Sequence, residues 1–245
     1  SDFDLMLSIF PFEKSWYAKR APNFKVEFVG HPLVDRFSID KNKNNKTTSN
    51  PDLFTAHPEV LLLPGSRQRE LEKHLPGMLE AVKIIATELK IKVRIVLPNK
   101  KMLSLAKHIV PTGTEIILQI GNLEESLNHA ILTIASSGTV TMECAWFKVP
   151  TVVVYKTSLI TYIIGKLLVK VPYVAMPNIL AEEEIFPEFI QNEATPDNIA
   201  KASLRILQDS TERQKILTGL KHIASQLGEP GATNRAAKSI LHSIE

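Results

Sequence analysis

From residue 59 to residue 155 the chain alternates short β-branched runs with stretches of helical periodicity. The strand-like runs fall at 60–63, 93–97, 115–119, 131–135 and 151–155, each four or five residues long. Helix-like stretches at 68–90, 101–108, up to 127 and 139–147 separate them. Strands this short and this apolar are buried on both faces. The pattern therefore predicts an α/β unit, a Rossmann-like parallel sheet with helices on both faces. In such a sheet ligands bind beyond the carboxyl ends of the strands, so the strand-to-helix turns are where chemistry is to be sought.

The rest of the chain organises around this unit. Residues 1–37 hold strand-like runs at 5–10 and 26–29 around a helix-like 12–19. Two strands and a helix cannot cover their own faces, so this piece needs a partner. It reads as the remnant of an N-terminal domain, and a chain that opens on a strand is expected to lack a preceding portion. Residues 38–57, rich in Lys, Asn, Thr and Ser, read as a linker. The main domain is expected over 58–230, closed by helices at 196–208 and 211–226, with a separate last helix in 231–245.

With 245 residues, 44% of them apolar, the chain can bury a sizeable core. A net charge of +3 is too mild to argue for nucleic acid. Cys144 is the single cysteine, so no intrachain disulfide can form, and a reducing cytoplasm is the natural compartment. Residues 1–4 carry no basic leader of a secretory signal. The longest apolar segment, 159–171, contains Lys166 and Lys170 and falls short of the roughly 20 residues that span a bilayer. It reads as a helix at 159–168 buried against the sheet, the alternative being a surface that meets lipid. The chain is expected to be soluble or peripheral.

Three turns could carry chemistry. In Pro64-Gly65-Ser66-Arg67, Gly65 permits a tight turn, Ser66 is a candidate N-cap, and Arg67 projects from a helix start where amide groups favour an anion. In Ser136-Ser137-Gly138-Thr139 small residues allow a phosphate to approach the backbone. Glu143, one turn beyond on the same helical face, could accept from ribose hydroxyls. Asn178, after Pro177, and Gln191 offer two-way amides in loops, although a loop asparagine is more often a turn former.

Several chemistries lack their signature. The turns match neither the dinucleotide fingerprint nor a P-loop, and there is no Gly-x-Ser-x-Gly elbow. The seven histidines form no metal-ligand spacing, so no metal or cofactor is expected. Cys144, amid helix-packing residues, does not read as a nucleophile.

The ordered set of segments resembles the lipid-A-disaccharide synthase family. It comprises Phe10-Pro11-Phe12-Glu13-Lys14, Phe28-Val29-Gly30-His31-Pro32, Leu62-Leu63-Pro64-Gly65-Ser66-Arg67, Ser137-Gly138-Thr139 with Glu143-Cys144, Tyr173-Val174 through Pro177-Asn178-Ile179-Leu180-Ala181, Gln191-Asn192-Glu193 and Gly231-Ala232. The resemblance implies the C-terminal half of a GT-B glycosyltransferase. Its substrates would be UDP-2,3-diacylglucosamine and lipid X, joined at the cytoplasmic face of the inner membrane into lipid A disaccharide 1-phosphate. It further implies that Arg67 neutralises the donor phosphate. Gly138, Thr139 and Glu143 would form the nucleotide cradle, with Asn178 and Gln191 at the same cleft.

The resemblance also implies an acceptor-side N-terminal domain, in cis or in trans, that would hold the general base and receive the last helix. Most of that domain has no counterpart here, and no convincing base is found in this sequence. A homodimer is compatible with this reading. Two rivals remain at the level of sequence. One is another GT-B enzyme acting on UDP-N-acetylglucosamine, such as a MurG-like transferase or a 2-epimerase. The other is a non-catalytic UDP-sugar-binding subunit.

Overall fold

The computed structural model describes residues 3–41, 58–157 and 172–244. They form two compact units, one of Ser1–Thr47 with His222–Glu245 and the other of Thr48–Lys221. The expected helix at 159–168 lies outside the described residues.

The larger unit holds a six-stranded parallel sheet. Its strands are β3 (Glu59–Leu63), β4 (Lys92–Leu97), β5 (Ile116–Ile120), β6 (Ala130–Ser136), β7 (Thr151–Tyr155) and β8 (Glu188–Ile190), in the order β5-β4-β3-β6-β7-β8. The smaller unit contributes β1 (Leu5–Ser8) and β2 (Lys25–Phe28), a parallel pair. The α/β class and the parallel sheet agree with the sequence reading.

Burial explains why these segments are strands. Val60, Leu61 and Leu62 are wholly inaccessible, and all seven residues of β6 are buried, as both faces of a central parallel strand must be. The first long helix, α3 (Gln68–Glu88), turns Leu71, Leu75, Met78, Val82 and Ile85 onto the sheet at helical spacing. It packs beside a later helix, Pro196–Gln208. The sheet grows from β3 in both directions, toward β5 on one side and β8 on the other. The β3/β6 pair, in register from Leu62↔Ile134 to Leu63↔Ala135, is thus the point where strand order reverses.

Three elements escaped the sequence reading. Helix α2 (Pro32–Lys41) occupies residues to which the pattern assigned no element and the start of the expected linker, and Met176–Ala181 is a short helix where only a loop was expected. Both carry proline at or next to their first residue. At that position the missing N–H costs nothing and the fixed φ favours the helix. The third, β8, is only three residues long and half-buried, too short to show a period.

In the smaller unit the ends of the sequence meet. The carboxylate of Asp35, on α2, accepts from the N–H groups of Gly231 at 2.5 Å, Ala232 at 3.1 Å and Thr233 at 2.9 Å, and from the Thr233 hydroxyl at 2.9 Å. It thereby caps the last helix, Ala232–Ile244, from a distant segment. Arg235 donates from Nε to the Val29 carbonyl at 2.8 Å, and its other nitrogens donate to the Pro230 and Glu229 carbonyls. Gly30, at φ +89°, leaves no room for a side chain, since a Cβ there would lie 2.7 Å from Arg235. Phe3, Trp16, Leu241 and Ile244 of this unit remain exposed.

Candidate functional site

The two turns singled out in the sequence leave neighbouring strands. Residues 64–67 follow β3 and residues 137–139 follow β6, so both stand at the carboxyl edge where strand order reverses. A third neighbour, β7, pairs with β6 and ends beside the second turn, because Ser137 N–H donates to the Val154 carbonyl at 3.1 Å.

At the first turn Gly65 has φ +120°, and a Cβ there would sit 2.5 Å from a carboxylate oxygen of Glu70. Glycine is required by conformation and by space. The structure corrects two expectations. Ser66 is not the N-cap: Arg67 holds that position, and no side chain of the cap residue serves it. Glu70 does the capping from inside α3, its Oε2 accepting from the N–H groups of Ser66 at 2.9 Å and Arg67 at 3.2 Å. Those two amides are therefore not open to an anion. Glu70 Oε1 also pairs with the Arg67 guanidinium at 2.8 Å, while 81% of the Arg67 side chain stays exposed. One face of the guanidinium is tethered, and its remaining donors face outward.

The second turn is more open. Nothing lies within 4 Å of a Cβ built on Gly138. The amides of Gly138 and Thr139 make no hydrogen bond to described residues, whereas the Gly138 carbonyl accepts from Thr141 N–H and from its hydroxyl. The Ser137 hydroxyl makes a long 3.4 Å bond to the Val174 carbonyl. Glu143 stands half-buried on the helix that follows, Val140–Trp146. Its neighbour Cys144 is fully buried, and burial pushes its thiol up to about 12, so no thiolate is available.

The third loop is corrected most clearly. Asn178 is wholly buried. Its Oδ1 accepts from Ile185 N–H at 2.9 Å and Phe186 N–H at 2.8 Å, and its Nδ2 donates to the Phe186 carbonyl at 2.8 Å and Glu188 Oε1 at 2.7 Å. An amide has two donors and two good acceptor sites, so none is left for a ligand. Asn178 shapes the loop rather than facing a cleft. Gln191, at φ +53°, spends its amide on Thr157, accepting from its N–H at 2.9 Å and donating to its carbonyl at 3.4 Å. It ties the end of β8 to the end of β7.

Three further side chains were missed. Glu188 accepts from the Val174 and Ala175 amides, both at 2.8 Å. Burial raises its pKa more than these bonds and that from Asn178 lower it. His74, 1% exposed, bridges two strand ends, with Nδ1 3.0 Å from the Pro64 carbonyl and Nε2 accepting from Lys156 N–H at 2.9 Å. The ring is therefore neutral and protonated on Nδ1, and burial holds its pKa below the usual value. The third is Lys156 itself. One signal was present for His74: it interrupts the apolar stripe of α3 between Leu71 and Leu75, where a polar group must find buried partners.

Among the described residues no group of three or more His, Cys, Asp or Glu side chains could hold a metal ion. No helix of the described residues is long and apolar enough to cross a membrane.

A family model described as lipid-A-disaccharide synthetase matches residues 2–242. The lipid-A-disaccharide synthase of Myxococcus xanthus (strain DK1622) is 34% identical over 254 residues, covering 98% of this chain and 63% of its own length. That of Geobacter metallireducens is 33% identical over 247 residues, covering 98% and 62%. The chain thus spans less than two thirds of these relatives. Among solved structures, the UDP-GlcNAc 2-epimerase from Neisseria meningitidis bound to UDP-GlcNAc superposes with a TM-score of 0.67 at 12% identity, over 98% of this chain and 62% of that one. At that identity the likeness bears on fold alone.

Proposed function

The chain belongs to the lipid-A-disaccharide synthetase family, and from that membership we propose that it carries the donor-nucleotide site of an inverting hexosyltransferase. The reaction joins UDP-2,3-diacylglucosamine to the 6-hydroxyl of lipid X. The acceptor oxygen bonds to the anomeric carbon as the bond to the UDP oxygen breaks, giving the β-1,6 disaccharide 1-phosphate and UDP. Because both substrates are lipids, the enzyme works at the cytoplasmic face of the inner membrane. The epimerase alternative rests on fold likeness alone, and the family match favours the transferase.

One observation carries the reading: the two candidate turns stand side by side at the point of strand-order reversal, and the 137–139 turn is sterically open. UDP is assigned to this edge. Its diphosphate meets the amides of Gly138 and Thr139 and the outward donors of Arg67, and Glu143 accepts from the ribose. Gly65 and Ser66 shape the first turn, and Ser137 lines the second. Negative charge builds on the departing diphosphate as the glycosidic bond breaks, and fixed donors there lower the barrier. The proton of the acceptor hydroxyl goes to a base that this reading places outside the present sequence. No metal is needed if a guanidinium and backbone dipoles hold the charge.

Calorimetry of the 245-residue chain with UDP and ADP tests the assignment. UDP is expected to bind, ADP about tenfold more weakly, and Glu143→Ala to weaken UDP while leaving the melting temperature in place. Absence of UDP binding, or unchanged affinity in Glu143→Ala, would sink it.

A further inference from the structure

The end of β7 is held with unusual thoroughness. His74 accepts the Lys156 N–H, and Gln191 engages both the N–H and the carbonyl of Thr157. Two side chains, one from α3 and one from beyond β8, thus fix consecutive peptide groups at a strand terminus. Such buried bonds cost conformational freedom and stabilise little beyond what a loop could achieve with water. Their specific effect is to fix the direction in which residue 156 leaves the sheet.

That residue is a half-buried lysine. Among the described residues no carboxylate pairs with it, although ion pairs are formed elsewhere. Its surroundings can be read from the His74 ring. Its Nδ1 stands 3.0 Å from the carbonyl of Pro64, at the start of the first turn, while its Nε2 holds the Lys156 N–H at 2.9 Å. The backbone of residue 156 is therefore tied through that ring to the first turn, whose Ser66 and Arg67 are bound by Glu70. On its other side Lys156 follows the strand that pairs with β6, two residues past the Val154 carbonyl that receives Ser137 N–H. Lysine 156 is common to both turns. With no carboxylate paired to it among the described residues, an ammonium carried at this strand end is suited to an anion.

We propose that Lys156 is a phosphate-binding residue of this site, a second cation that meets the diphosphate opposite Arg67, with its backbone locked in place by His74 and Gln191. The inference rests on the donor-nucleotide reading and extends it to a residue that the turn motifs do not include. An ammonium suits the task, as a compact point charge with three donors that can follow a phosphate as charge develops on it. Arg67, tethered by Glu70, supplies the directional contact.

The test is calorimetry of the full 245-residue chain with UDP, uridine and inorganic diphosphate. Lys156→Met should weaken UDP by about tenfold or more, as loss of a charge-assisted bond does. Diphosphate should weaken in parallel, uridine should be unchanged, and the melting temperature should stay within a few degrees. Lys156→Arg, which keeps the charge, should recover most of the UDP affinity. If Lys156→Met binds UDP as well as the parent chain, or loses UDP and uridine equally, the assignment of Lys156 is overturned and the donor-nucleotide reading stands. If the parent chain binds neither UDP nor diphosphate, that reading falls and this one with it.

Discussion

Arg67 and Asn178 were read from the sequence as two ligand contacts, and they prove to be opposite kinds of residue. The guanidinium of Arg67 is mostly exposed and held on one side by Glu70. Arg67→Ala should lower UDP affinity by about tenfold or more while sparing uridine, because a charged bond to phosphate is removed. Equal losses for both ligands would mark the arginine as structural. The amide of Asn178 is buried with every donor and acceptor in use. Asn178→Ala leaves two buried N–H groups without acceptors and should cost about 3 kcal/mol of stability. Denaturant unfolding that placed the loss under 1 kcal/mol would contradict this account. Sequence alone could not separate the pair, since both are polar residues at turns and only burial tells which amide is already spent.

His74 allows a prediction in pH. Its folded-state pKa lies below the ordinary value of 6.5, because burial disfavours the charged ring. In the unfolded chain it protonates near that ordinary value. Its contribution to stability is therefore complete above about pH 6.5 and is lost as pH falls through the depressed folded pKa. His31, also depressed by burial, has the same sign, so the comparison must be with a variant. His74→Gln should flatten the acid limb of melting temperature against pH between about pH 5 and pH 7. Identical limbs in parent and variant would show that the ring does not titrate in this way.

Among the elements, those with a strong period were legible and those defined by a single proline were not. The strand Thr151–Tyr155 and the helix Pro196–Gln208 have the limits that their patterns predicted, and the last helix, Ala232–Ile244, falls inside the segment expected for it. The helices Pro32–Lys41 and Met176–Ala181 were not legible because each begins at or beside a proline, a residue that favours turns as well as helix starts. The missed helix α2 has a consequence of its own, since its Asp35 caps the last helix. Asp35→Ala should destabilise by about 1–2 kcal/mol, the usual cost of an N-cap. Burial raises the Asp35 pKa, but the bonds from Thr233, Gly231 and Ala232 outweigh it and hold the carboxyl low, so this capping is retained until the pH falls through that lowered value. Hydrogen exchange of the amides in the last helix would report the change, and undiminished protection there in Asp35→Ala would refute it.

For the molecule as a whole, periodicity was enough to place a parallel sheet, and the turns after β3 and β6 fell on neighbouring strands. What periodicity could not supply is strand order. Neither the reversal at β3/β6 nor the meeting of His74 with a residue 82 positions away is written in local pattern. The smaller unit shows the same limit in another form. Asp35, Val29 and His31 find their partners at Thr233, Arg235 and Leu227, roughly the whole length of the chain later. On a ribosome adding residues at about 5–20 per second, some 10–40 s separate the emergence of the two halves of that unit. For that interval Asp35 caps nothing, and Val29 and His31 lack the partners they bond in the folded unit. A chaperone that holds the segment bearing Asp35, or a codon-level pause before the last helix, would act on this unit and leave the intervening sheet, whose strands follow one another in synthesis, to fold on its own schedule.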